Sequence, residues 1–160
     1  MNIYKNFLPK DVFKKLKDIM MGYYFPWYFN EHVNKPGDEF FQFTFMFVDN
    51  GEYRCWKEWQ DLLSPVLKNI KHKKINKVKA NLLTKTNKII EHGMHVDQEK
   101  GTTGILYLNN NNGYTRFKNG KKITSEENKY LEFDSALEHT GSSCTDQNRR
   151  VVINFNYESN

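Results

Sequence analysis

The chain has 160 residues and a mass of 19.1 kDa, with 38% hydrophobic and 15% aromatic residues, which fits one domain with a real core and excludes intrinsic disorder. A membrane helix needs roughly 20 apolar residues, and no run approaches that; Met1 to Met21 hold no apolar stretch behind a basic start, so no secretory signal is expected. The formal net charge is +5, but the excess is lysine, with arginine only at Arg54, Arg116, Arg149 and Arg150, which makes a weak nucleic-acid signal.

Leu8-Pro9-Lys10-Asp11 predicts the start of a helix, and Val12, Phe13, Leu16, Ile19 and Met20 continue it at helical spacing. Tyr23 to Phe29 and Phe40 to Val48 are aromatic and β-branched and read as strands. A second helix follows, with Trp59, Leu62, Leu63, Val66, Leu67 and Ile70 on one stripe. The basic run Lys68 to Lys79 reads as a solvated helix end and connector. From Lys77 the period becomes two: Val78, Ala80 and Leu82 alternate against Lys79, Asn81 and Leu83. Thr102 to Asn109, Thr115 to Phe117, Tyr130 to Phe133 and Arg150 to Tyr157 read as further strands, and Asn119-Gly120 as a hairpin turn. Short strands after early helices predict a mainly β fold with N-terminal helices (α+β), built around a jelly-roll barrel.

Cys55 and Cys144 are too few for a disulfide scaffold and suggest no zinc pair, so reduced thiols in a cytoplasm are expected, a host's if the source is viral. The histidines are His32, His72, His92, His95 and His139. In His95-Val96-Asp97, read as a strand, imidazole and carboxylate project from one face as neighbouring ligands for a metal. His139 follows at a distance that spans a few strands. Two histidines and a carboxylate make a facial triad, which leaves adjacent positions open on Fe(II). A bare His-x-Asp arises often by chance, so the surrounding sequence carries the weight.

That surrounding sequence resembles the 2-oxoglutarate- and Fe(II)-dependent oxygenases, the prolyl hydroxylase-like branch in particular. The matching stretches are His95-Val96-Asp97, Thr103 to Asn109, Gly113 to Phe117 with Asn119-Gly120, Leu131 to Ser135, His139-Thr140-Gly141 and Arg150 to Phe155. Phe7-Leu8-Pro9 and Phe25-Pro26-Trp27-Tyr28 also resemble short phage-encoded members. The resemblance implies a single oxygenase domain over residues 1–160, with helices and aromatic strands in 1–76 and a double-stranded β-helix core over about 77–157. It implies Fe(II), 2-oxoglutarate and O2 as cofactor and co-substrates, with ascorbate as a support, and release of succinate and CO2. His95, Asp97 and His139 would hold the iron; Arg150 would pair with the distal carboxylate of 2-oxoglutarate, and the Tyr107 hydroxyl would add a hydrogen bond.

The pattern departs from the family where a tyrosine usually helps hold the co-substrate; here the comparable strand offers Asn81, whose amide is a candidate for that contact. His92 reads as an exposed loop histidine, because three ligands complete the set. Phe40 to Val48 and the loop after Asp97 are candidates for shaping the entrance. Arg150 shares its strand face with Val152, Asn154 and Asn156; Arg149 begins the opposite face of Val151, Ile153, Phe155 and Tyr157, which is expected to pack under the helices, with Arg149 reaching solvent at its edge. The implied substrate is a side chain of a protein or peptide, with a nucleobase or small metabolite as the alternative. A non-redox, cupin-like metal-binding barrel is the rival within the fold, and a lysine-rich nucleic-acid module the rival outside it. The sequence leaves the oligomeric state open.

Overall fold

The structure is a computed structural model that describes residues 1–34, 36, 37 and 39–159. In chain order the elements are β1 (Asn2–Tyr4), α1 (Lys10–Met20), β2 (Tyr28–Asn30), β3 (Gln42–Asp49), β4 (Glu52–Tyr53), α2 (Lys57–Asn69) and β5 (Lys74–Thr84). There follow β6 (Thr102–Tyr107), β7 (Tyr114–Phe117), β8 (Lys122–Thr124), β9 (Lys129–Asp134), β10 (His139–Gly141) and β11 (Arg149–Glu158). Among the described residues no helix is long and apolar enough to cross a membrane.

Both helices form where the apolar stripes predict them. Pro9 caps α1 from outside, where a missing N–H costs nothing, and Asp11 and Lys17 sit at the ends that suit their charges. Phe13, Leu16 and Met20 of α1 and Leu63 and Val66 of α2 are the buried positions.

The large sheet runs β1-β9-β6-β11-β5-β3-β2, with β4 added to β3; the small sheet runs β10-β7-β8. Every pairing is antiparallel. One face of the large sheet offers Val78, Ala80 and Leu82 of β5 and Val151, Ile153, Phe155 and Tyr157 of β11, which join the buried residues of α1 and α2 in one core. From the other face, Ile105, Tyr107, Leu131, Phe133 and Val152 meet Phe117 and Ile123 of the small sheet in a second core. The two sheets face each other as a jelly-roll, the double-stranded β-helix. Asn119-Gly120 turns β7 into β8, and Gly120 takes the positive φ (86°) that such a turn requires.

Three expectations are corrected. Tyr23 to Phe29 is not one strand: only Tyr28–Asn30 pairs, Pro26 has no N–H to give a ladder, and Tyr23 and Tyr24 are 94% and 89% exposed. The run Lys68 to Lys79 is only partly a connector. Its last six residues already belong to β5, paired along β11, and Val78 and Lys79 pair with β3 as well, so lysines that read as solvated lie on a strand of the large sheet. Strand pairing, on both sides at Lys79, overrides the charge pattern there. The strand predicted to reach Asn109 ends at Tyr107.

Candidate active site

His95 and His139 are brought together by an isolated antiparallel bridge, in which each backbone N–H donates to the other's carbonyl at 2.9 Å. The His95-Val96-Asp97 segment is therefore not the regular strand expected but an extended stretch held by that one bridge. His95 and Asp97 face the same cavity, and Val96 between them is exposed at its rim. His95 Nε2 lies 3.8 Å from Asp97 Oδ1, and His139 Nε2 lies 3.7 Å from Asp97 Oδ2. The ligand atoms of the three residues all fall within 4.8 Å of one another, close enough to serve one ion.

The surroundings prepare these atoms for a metal. His139 Nδ1 is 2.9 Å from the Leu137 carbonyl and His95 Nδ1 is 3.3 Å from the Gly93 carbonyl. A carbonyl only accepts, so each Nδ1 carries the proton and each Nε2 presents a lone pair. His139 is 4% exposed and packs edge-on against Phe133. Burial lowers its pKa, only partly offset by Asp97 and by the Leu137 carbonyl, which favours the neutral, ligating form. Asp97 Oδ2 accepts from Thr103 Oγ1 at 2.7 Å and from Asn156 Nδ2 at 3.2 Å, and Thr103 Oγ1 also meets Ser135 Oγ at 2.9 Å. This chemistry, two imidazoles that present Nε2 and one clamped carboxylate, suits Fe(II).

Arg150 lines the same cavity, of about 230 Å³, together with His95, Asp97, Asn81, Val152, Asn154 and Asn156. It is 4% exposed, and its Nε donates to Ser125 Oγ at 2.8 Å. Thr115 Oγ1 stands 3.5 Å from Nη2, and the guanidinium lies 5.7 Å from the centre of the Tyr107 ring. The backbone at Gly113 passes so close that a Cβ there would come within 2.6 Å of Arg150 Cδ, so glycine is needed to admit the arginine stem. Among the described residues no carboxylate pairs with this cation, and burial pulls its pKa below the usual arginine range. A buried guanidinium with only hydroxyls around it is a site for an anion.

The sequence matches no protein-family model and no curated protein. Solved structures do match. An oxidoreductase of the 2OG-Fe(II) oxygenase family from Burkholderia pseudomallei aligns with 96% of this chain and 82% of its own, at 12% identity and a TM-score of 0.68. A prolyl-4-hydroxylase from Pseudomonas putida aligns over 99% and 92%, at 12% identity and a TM-score of 0.62. A Trichoplax adhaerens prolyl hydroxylase, in complex with a peptide fragment of the hypoxia inducible factor oxygen degradation domain, aligns over 99% and 83%, at 14% identity and a TM-score of 0.66. The chain has the 2OG-Fe(II) oxygenase fold.

Within that fold, Asn81 lines the cavity as a near-buried residue, one strand away from Val152. Tyr107 does not reach the cavity wall. Its fully buried hydroxyl donates to Thr115 Oγ1 at 2.8 Å, so Thr115 stands between it and the guanidinium. His92 is not the exposed loop histidine expected. It is half-buried, lines the cavity and meets the Phe40 ring edge-on at 5.3 Å, because its backbone N–H is tied to the Gly141 carbonyl. Of the two entrance candidates, Gln42 from the aromatic segment does line the cavity, and its amide holds the His32 and Val33 carbonyls; the loop after Asp97 does not.

Sequence reasoning missed the groups that grip the key side chains. Thr103 on Asp97, with Ser135 behind Thr103, and Ser125 and Thr115 on Arg150 are ordinary strand and turn hydroxyls with no local signal. Asn156 had one: it falls on the polar face of the last strand. Also missed was Glu91, which accepts from Arg116 Nε at 2.8 and 2.9 Å and from Tyr114 Oη at 2.8 Å, pinning the segment before His95 to the small sheet.

Proposed function

We propose that this chain is a 2-oxoglutarate- and Fe(II)-dependent dioxygenase that hydroxylates a side chain of a protein or peptide, prolyl hydroxylase-like in reaction. The observation that carries this reading is one cavity whose wall holds His95 and Asp97 of a His-Asp-His cluster together with a buried Arg150 that no carboxylate pairs with among the described residues. A mere metal-binding barrel has no use for that arginine, and a nucleic-acid module has no use for a buried ligand triad. The peptide bound to the Trichoplax relative supports a peptide substrate.

When bound, Fe(II) with 2-oxoglutarate and O2 supplies the oxidising chemistry, consuming the keto acid to succinate and CO2. The chain's part is position and charge. His95, Asp97 and His139 hold the ion, with Nε2 freed on both rings by the Nδ1–H contacts to Gly93 and Leu137. Thr103 and Asn156 fix the Asp97 carboxylate through Oδ2, leaving Oδ1 free. Arg150 receives the distal carboxylate of the keto acid, oriented by Ser125 and by Thr115, while Tyr107 supports Thr115 from behind. Asn81, on the wall of the same cavity, offers an amide to that molecule. Leu83 and Val152 supply the apolar wall that keeps bulk water away.

The test is succinate formation. Purified protein with Fe(II), 2-oxoglutarate and ascorbate yields succinate above a metal-free control, and Asp97→Ala loses both this turnover and Fe(II) binding at micromolar metal. No succinate from the wild-type protein would overturn the reading; unchanged turnover in the variant would mean that Asp97 is not a ligand.

A further inference from the structure

The cavity carries more positive charge than its proposed contents balance. Lys77 and Lys79 line it from the pocket face of β5. Neither forms an ion pair among the described residues. The register sets Lys77 opposite Asn156 and Lys79 opposite Asn154, whereas Leu83 is opposite Arg150. Asn156 is the residue that grips Asp97, so the register sets both lysines on the cavity wall at the metal end. Lys79 is four residues from Leu83, about 13 Å along a strand at 3.3 Å per residue, which separates its backbone position from the Arg150 end.

The environment of Lys79 reflects this crowding. Burial lowers its pKa first and Lys77 lowers it further, while Asp97 pulls the other way. Ferrous iron and the dianion of 2-oxoglutarate cancel each other, and Asp97 and Arg150 do the same. Both lysines then remain uncompensated in a half-enclosed site. Beside them, Asn154 Oδ1 is buried without a hydrogen-bond partner, an acceptor awaiting a donor.

We infer that the substrate brings a carboxylate to Lys77 and Lys79: an acidic side chain next to the residue that is hydroxylated. Asn154 Oδ1 then accepts a peptide N–H, which a simple carboxylic acid would not offer. This rests on the peptide-hydroxylating reading above and names the sequence context it selects. Specificity comes from both signs: an acidic neighbour neutralises the pair, and a basic neighbour is repelled by it.

The test uses direct binding. Three fluorescent proline-centred peptides of equal length, flanked by Asp, by Ser or by Lys, are titrated against protein loaded with Mn(II) and 2-oxoglutarate, and anisotropy is read. The Asp peptide binds about tenfold or more tightly than the Ser peptide, as expected for a partly desolvated charge pair, and the Lys peptide binds most weakly. The double variant Lys77→Gln/Lys79→Gln binds the Asp and Ser peptides alike, and its retained Ser-peptide binding shows that it is folded. Lys79→Arg keeps the preference.

Equal affinities in the wild-type protein, or a preference that survives the double variant, would overturn the inference. So would a double variant whose loss appears in 2-oxoglutarate affinity instead, which would make the lysines a co-substrate clamp. If 2-oxoglutarate binds and none of the three peptides does, the peptide reading fails, and this inference with it.

Discussion

The two faces of β11 differ in what satisfies them. Val151, Ile153, Phe155 and Tyr157 are buried against α1 and α2, and every apolar group there finds its complement within the fold. Arg150, Val152, Asn154 and Asn156 line the cavity, and there, among the described residues, needs are left unmet: a cation without an anion and an amide oxygen without a donor. The adjacent arginines show the contrast at one step of the chain. Arg149 spends its guanidinium on the Met21 carbonyl at the end of α1, and Arg150 keeps its own for the cavity. A face whose groups are satisfied internally is structural; a face left short of partners is a binding site.

The contrast breaks most visibly on the helix side. Phe155→Ala removes a fully buried ring and should lower unfolding stability by about 3–5 kcal/mol in urea titration, because the two helices cannot collapse onto the gap. Fe(II) affinity of the folded protein should stay within a few-fold. A large change in affinity with little change in stability would mean that the two faces are not independent.

On the cavity side, Arg150→Ala should raise the apparent 2-oxoglutarate constant by more than tenfold, since losing a buried charge pair costs on the order of 2–5 kcal/mol. Arg149→Ala should change it little. The reverse order in steady-state succinate assays would exchange the roles of the two faces.

The smallest effect sharpens the comparison within the polar face. Asn156→Ala frees Asp97 Oδ2 from one of its two side-chain donors and should weaken Fe(II) binding by about 10–100-fold, with thermal stability little altered. Metal titration with Mn(II) as a spin probe would measure this. Unchanged affinity would leave Thr103 as the sole anchor of that carboxylate.

Much of this was legible in the sequence. Period-two alternation assigned Val78, Ala80 and Leu82 to one face of β5, and Lys79, Asn81 and Leu83 to the other, because a pleated strand has no other way to place its side chains. The stripes on α1 and α2 placed the helices for the same reason at period 3.6. Gly120 announced its turn through the positive φ that other residues avoid. What only the tertiary structure decided is distance between segments far apart in the chain. His95 meets His139 through a bridge, Asp97 is gripped by Asn156 from 59 residues away, and Arg150 rests on Ser125 from 25 residues away. Lys77 and Lys79 looked like solvated charge in the sequence and became the wall of a cavity. Local pattern dictates which way a side chain points, but a partner is chosen by the packing of two sheets, and no short window of sequence contains both.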